Sequence, residues 1–141
     1  MIVFDIPGKP YAKKRVKATA RGGFARVYDP KENVSFERSL GMIALPHFQV
    51  PLEGPVRLSF VATVAPSKSW PKKKLAATVG QYHTQKPDLD NIEKAIKDGL
   101  NRIAWADDSQ VAEVRKRKVW GLDEGTSIMI EQLSKADLEN G

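Results

Sequence analysis

Lys86-Pro87-Asp88-Leu89-Asp90-Asn91-Ile92-Glu93-Lys94, continuing as an amphipathic run to Ile103 and then Trp105-Ala106-Asp107-Asp108, is the stretch around which the chain is organised. Pro87 biases Lys86 toward an extended conformation, so the sequence predicts a helix beginning just after it. Leu89, Ile92, Ile96, Leu100 and Ile103 recur at three- and four-residue steps and form one apolar stripe. Asp90 and Lys94 lie one turn apart on the polar side. Asp88 falls at or before the first turn, where free N–H groups and the helix dipole favour negative charge.

Each of these residues has an ordinary explanation. Asp88 suits an N-cap, and Asp90 with Glu93 has capping-box spacing. Asp90–Lys94 has the spacing of an exposed ion pair worth about 0.3–0.5 kcal/mol, and Asp107-Asp108 suits a turn. Together they suggest more. A helix this short can return its far end beside a neighbouring strand, so that Asp107-Asp108 converges with Asp88 and Asp90. Clustered carboxylates repel unless a cation lies between them, and carboxylate oxygens are the ligands that Mg²⁺ and Mn²⁺ prefer. Such a site polarises a phosphate and lowers the pKa of bound water.

The run KPDLDNIEKAIKDGLNRIAWADDSQV resembles the RusA family of Holliday junction resolvases, including the copies carried by prophages. The family shows an Asp-x-Asp-Asn-x-x-x-Lys helix start, then an aromatic residue and an Asp-Asp-x-x-Val segment. By that resemblance Asp88, Asp90 and Asp108 map onto three metal-binding aspartates and Lys94 onto a catalytic lysine. Asn91 and Gln110 match recurring positions whose role the sequence does not reveal. Pro7-Gly8-Lys9-Pro10, the basic segment after it and Tyr28-Asp29-Pro30 are similar to the family's amino-terminal portion. His83-Thr84-Gln85-Lys86 is similar to the prophage branch. The resemblance covers the chain from about the first strand to the Val111 strand.

The 141 residues suit one domain, 1–141, with 134–141 as a polar, frayed tail. A hydrophobic content of 41% is that of a globular protein, and a formal charge of +6 favours an anionic partner such as nucleic acid. Lys9, Lys13, Lys14, Arg15, Lys17, Arg21 and Arg26 share one segment in which Asp5 is the only acid. Lys68 with Lys72–Lys74 and the run Arg115–Lys118 add two more basic clusters. With no cysteine, a disulfide framework and thiolate-bound zinc are excluded. Neither a signal peptide nor a membrane-length apolar run is present, so a soluble, cytoplasmic protein is expected.

In chain order, Ile2, Phe4 and Ile6 share one face of a short strand that Pro7-Gly8 ends. Tyr11 to Arg26 reads as an extended basic arm or loose hairpin around Arg21-Gly22-Gly23. A helix is predicted from Asp29 as N-cap with Pro30 at its first position, burying Val34, Phe36, Leu40 and Ile43. Val56 to Ala62 alternates like a central strand, and Lys72 to Ala77 forms a short helix. Trp70 is expected to pack on its own domain, and His83 to be a weak ligand candidate. Val111 to Trp120 is a strand of ambiguous register, joined through a Gly121–Gly125 hairpin turn to a last strand that pairs back on it.

The expected fold is therefore α+β, a small mixed β-sheet packed with two main helices. The expected function is that of a Mg²⁺-dependent (Mn²⁺-tolerant) structure-selective endodeoxyribonuclease that resolves four-way junctions by paired nicks, without a small-molecule cofactor or membrane. One acidic site per chain and two symmetric incisions call for a two-fold homodimer. Lys13, Arg15, Lys17, Lys72, Lys86, Lys116 and Lys118 are the expected DNA contacts. The rivals are a nuclease for flaps or forks and an inactive basic DNA-binding module. A receiver-type phosphorylation domain is excluded, because strands and helices do not alternate regularly.

Overall fold

The computed structural model describes residues 1–140. Strand β1 (Ile2–Pro7) is followed by a hairpin of β2 (Lys17–Arg21) and β3 (Phe24–Tyr28), helix α1 (Lys31–Ala44) and strand β4 (Val56–Val64). Helices α2 (Lys72–Thr78) and α3 (Leu89–Leu100), strands β5 (Val111–Trp120) and β6 (Gly125–Gln132), and helix α4 (Lys135–Asn140) complete the chain. The main sheet has the order β1-β6-β4-β5, with β4 parallel to β5 and antiparallel to β6. The architecture is mixed α+β, as the sequence predicts, with β4 at the centre.

Strand β4 takes the centre because it offers an apolar side chain to the core at every second position. Val56, Leu58, Phe60, Ala62 and Val64 are buried, while the residues between them are half-exposed. With Phe4, Ile128 and Ile130, the first four of these form the floor on which α1 and α3 lie through Leu40, Ala44, Ile92, Ile96 and Leu100. Each such side chain contributes roughly 1.5–3 kcal/mol when removed from water. Trp105, fully buried, closes the end of this core beyond α3. The two helices approach closely at Gly99, where a Cβ would stand 2.7 Å from Leu40 Cδ2.

Helix α3 ends at Leu100, earlier than its apolar stripe, because the chain turns through Asn101 and Arg102 (φ 71°). Ile103 still packs on the core from that turn. The turn closes when Arg102 N donates to Trp105 O at 2.8 Å, and Leu52 N to Ala104 O at 2.8 Å anchors it beside the start of β4. The first turn of α3 lies against Lys116 in the middle of β5, and Lys118 farther along the strand reaches Pro87 O just before the helix. The helix therefore runs antiparallel to β4 and β5.

Four expectations are corrected. β5 and β6 do not form a hairpin, because β4 inserts between them and the connection crosses its end. That crossing requires glycine at 121, where a Cβ would lie 2.6 Å from Thr63 Cγ2. Pro30, not Asp29, caps α1; Asp29 accepts a hydrogen bond from Asn33 Nδ2 at 2.8 Å instead. Val34 is exposed, and Asn33 takes the buried place beside it. The polar carboxyl end, expected to fray, is helix α4, with Asp137 accepting from Ser134 Oγ at 2.9 Å; Gly141 of that tail lies outside the described residues. No helix among the described residues is long and apolar enough to cross a membrane.

The basic arm is less loose than its composition suggests. Buried Asn33 accepts from Tyr11 Oη at 2.5 Å and from Lys14 N at 2.9 Å, and donates to Lys14 O at 2.9 Å. Tyr11 stacks on Phe36 at 4.7 Å, and Lys13 N donates to Asn91 O at 2.9 Å. The arm is thereby tied to both main helices before the β2–β3 hairpin projects beyond them.

Candidate active site

The amino-terminal end of α3 is assembled from the helix itself and β5. Asp88 is the N-cap: Oδ1 accepts from Asp90 N at 3.2 Å, and Oδ2 from Asn91 Nδ2 at 3.2 Å. Asn91 thus acquires a role, holding the second oxygen of Asp88. The Lys86–Pro87 peptide before the cap is cis. Lys118 of β5 reaches under this turn, donating to Pro87 O at 2.6 Å and to Gln85 O. His83 is buried with its ring 4.2 Å from Trp120, and its Nδ1 accepts from Gln85 N at 3.4 Å. Burial, with Lys118 nearby, lowers its pKa, so it is a neutral packing residue. Trp70 packs against Trp120 at 5.2 Å, as expected, with Lys74 4.0 Å over its ring.

The cation that holds Asp90 comes from β5. Lys116 Nζ lies 2.5 Å from Asp90 Oδ1 and 2.6 Å from Glu93 Oε1, and Lys97 Nζ holds the other Glu93 oxygen at 2.8 Å. The hydrogen bond from Lys116 keeps the Asp90 pKa below its usual value. Burial pushes Glu93 upward, but Lys116 and Lys97 outweigh it and the net shift is downward. Burial likewise opposes the charge on Lys116, yet its two carboxylate partners raise its pKa overall. Lys94 is exposed and makes no ion pair among the described residues. The sequence points to Lys94 as the partner of Asp90 because spacing within a helix is visible there. The Lys116 contact spans 26 residues and depends on even-numbered residues of β5 facing α3.

Asp107 and Asp108 lie at the opposite end of the helix. Asp107 is the cap of a 3-10 turn, Asp108–Gln110, accepting from Ser109 N at 2.9 Å. Gln110 completes a capping box: its Oε1 accepts from Ala106 N at 2.9 Å and Asp107 N at 3.2 Å. Its Nε2 donates to Leu52 O and Gly54 O, each at 2.9 Å. Gln110 therefore ties the acidic turn to the loop before β4. Asp107 is engaged in this network, whereas Asp108 is exposed and its carboxylate has no hydrogen bond or ion pair among the described residues. The expected convergence does not occur within one chain. Twelve helical residues, at about 1.5 Å each, separate the two acidic ends by roughly 18 Å. No group of three or more His, Cys, Asp or Glu among the described residues could hold a metal ion.

The expected DNA contacts divide into two sets. Lys13 is paired with Asp98 and lies 3.9 Å from Glu37, and Lys116 and Lys118 are turned inward toward the α3 start. These three build the scaffold of the site. Arg15, Lys17, Lys72 and Lys86 are exposed and make no ion pair among the described residues, so they are available to phosphates.

The family of endodeoxyribonuclease RusA matches residues 7–131 of this chain. The chain belongs to the RusA family. The matched span of this RusA protein holds both acidic ends of α3, Lys94, Lys116 and the basic arm, and stops before α4. A Bacillus subtilis (strain 168) protein, YqaN, described as uncharacterized, is 31% identical over 141 residues, spanning 94% of this chain and 97% of that protein. Membership makes the chain one of a family of endodeoxyribonucleases.

Proposed function

We propose that this protein is a divalent-metal-dependent endodeoxyribonuclease of the cytoplasm that resolves four-way junctions by paired symmetric nicks, acting as a two-fold homodimer. The observation that carries this reading is the α3 start of a RusA-family chain, where exposed Asp90 is neutralised by a lysine ammonium rather than left to repel its neighbours. The donors at this end are all carboxylate oxygens, and an ammonium already bridges Asp90 and Glu93. Their chemistry therefore suits a hard cation such as Mg²⁺ or Mn²⁺. Asp88 and Asp90 would hold such an ion, which would polarise a scissile phosphate and lower the pKa of a bound water, while Asp108 lies at the other end of α3 in the same chain.

The chain's own residues supply the rest. The cap hydrogen bonds fix Asp88, so its carboxylate needs little reorganisation to meet a ligand. Lys116 balances charge beside Asp90 and Glu93. Lys94, one turn from Asp90 and without an ion pair among the described residues, would reach the phosphate and stabilise charge that develops on its oxygens. Arg15, Lys17, Lys72 and Lys86 position DNA through its backbone.

The test is nicking of synthetic four-way junctions, forks, flaps and linear duplex with and without Mg²⁺. The four-way junction should be cut symmetrically and only with metal. Asp90→Asn should abolish cutting while junction affinity stays equal or improves, because repulsion of the phosphate is relieved. Equal cutting of flaps or forks would move the substrate to other branched DNA. Metal-independent binding with no nicking would leave only a basic DNA-binding module.

A further inference from the structure

The segment that leaves α2 runs along the upper end of β5. Gly80 N donates to Trp120 O at 2.9 Å, Trp120 N to Gln81 O at 2.9 Å, and His83 N to Lys118 O at 3.0 Å. These bonds hold the segment antiparallel to β5, with Tyr82 opposite Val119. Side chains alternate along an extended segment, so neighbours take opposite faces of the sheet. His83 turns to the helix side, where it is buried against Trp120. Tyr82 turns to the face away from α1 and α3, and it is 71% exposed.

The sheet is open beside that ring. Its register sets Asp5, Ser127, Val61 and Arg117 in one row across the face, and Val3, Met129, Ser59 and Arg115 in the next. Arg117 is exposed and makes no ion pair among the described residues, whereas Arg115 is held by Glu113 at 2.9 Å. Tyr82, Arg117, Val61 and Val119 surround a hollow of about 330 Å³, which Gly80 lines without a side chain to fill it. Beyond Val61 a second hollow of about 430 Å³ continues over Ser59, Ser127 and Met129, with both arginines on its rim.

We propose that Tyr82 and Arg117 form a subsite for an unpaired nucleobase, by which this protein holds single-stranded DNA on the open face of its sheet. An aromatic ring stacks on the face of a base, whatever the base, and a duplex hides those faces. The fitting partner is therefore a single strand. The guanidinium of Arg117 can stack on the other side of the base or pair with its phosphate. Val61 and Val119 give the base an apolar floor. Asp5, Asp123 and Glu124 gather at another corner of the face and repel phosphate, so the backbone is kept on the β5 side. Three backbone bonds fix the segment that carries Tyr82, and a ring positioned in advance loses little freedom on contact.

Lys118 links this subsite to the acidic helix start. Its carbonyl receives His83 N, and its Nζ donates to Pro87 O at 2.6 Å, so one residue ties both the Tyr82 segment and the Asp88 cap. The six steps of chain from Tyr82 to Asp88 span at most about 22 Å. Branched DNA yields unpaired bases most readily where its arms part. That use of the subsite rests on the nuclease reading above; the base contact itself does not.

Binding of a short oligothymidylate without metal, read by fluorescence anisotropy, is compared with that of an abasic strand of equal length. The two strands carry the same phosphates and differ only in their bases. The native protein should bind the oligothymidylate more tightly. Tyr82→Ala should weaken that binding about tenfold and leave the abasic strand unchanged, while Tyr82→Phe retains native affinity. Arg117→Ala should weaken both strands and reduce the salt slope by about 0.7. Equal native affinity for the two strands would overturn the proposal, as would a Tyr82→Ala protein of unchanged melting temperature that keeps the preference. A smaller particle in sedimentation of Tyr82→Ala, with oligothymidylate binding intact, would assign the ring to a protein contact and overturn it too. A native protein that nicks junctions but ignores bases would refute the subsite and leave the nuclease reading standing. Base-dependent binding by a protein that never nicks would do the reverse.

Discussion

Lys116→Met removes the ammonium that joins Asp90 and Glu93 while keeping most of the aliphatic stem. The Glu93 side chain is 17% exposed and that of Lys116 23% exposed, and they meet at 2.6 Å. The pair is thus shielded more than a surface ion pair, worth up to about 1 kcal/mol, and less than a buried one, whose breakage costs about 3–5 kcal/mol. Glu93 also keeps Lys97 at 2.8 Å. A loss of about 1–2 kcal/mol at neutral pH is expected, or roughly 3–8 °C in melting temperature. Asp90 is fully exposed and adds nothing to that figure.

The pH dependence of the loss follows from the directions of the shifts. Glu93 is depressed in the folded protein, so its contribution is present above its unfolded pKa of about 4.3 and disappears as pH falls through the lower folded value. Lys116 is raised, so its contribution is present below about 10.4 and is lost as pH rises through the higher folded value. Urea unfolding of both proteins between pH 3 and 11, at roughly constant ionic strength, should show a gap that is flat near neutrality and closes at both extremes. A gap below about 0.3 kcal/mol, or one that persists unchanged at the acid end, would refute the charge-based reasoning.

Four further perturbations probe other parts of the molecule. Gly99→Ala should destabilise by about 1 kcal/mol: contact with Leu40 costs about 1–3 kcal/mol and better helix propensity returns about 1. A stabilised variant in urea unfolding would show that α1 and α3 can part freely. Gln110→Ala removes the bonds to Ala106, Asp107, Leu52 and Gly54, and should cost about 1–3 kcal/mol. Faster amide hydrogen exchange at Ala106 and Asp107 should accompany the loss, and unchanged exchange there would argue against the tether. Lys72→Ala should weaken binding to all DNA sequences alike and reduce the salt slope by about one unit. Lys13→Ala should instead act on stability, because Lys13 is engaged with Asp98.

The features that the sequence announces are those encoded within a few residues of one another. The period of Leu89, Ile92, Ile96 and Leu100 specifies α3 and its buried side, and the alternation from Val56 to Val64 specifies a strand buried at every second residue. Asp88 before a helix, the Gly22-Gly23 turn of the basic hairpin and the RusA motif itself belong to the same class. The partners of these elements do not. Nothing local says that β4 comes between β5 and β6, because strand order is decided by which strand buries the most apolar surface against the helices. The choice of Lys116 over Lys94 beside Asp90 follows from that order, since it is the docking of β5 under α3 that turns even-numbered residues inward. The distance from Asp90 to Asp108 is set by the direction of α3 across the sheet. Sequence periodicity records which face of an element is apolar; only the packed tertiary structure decides which way the element runs and which distant charge it meets.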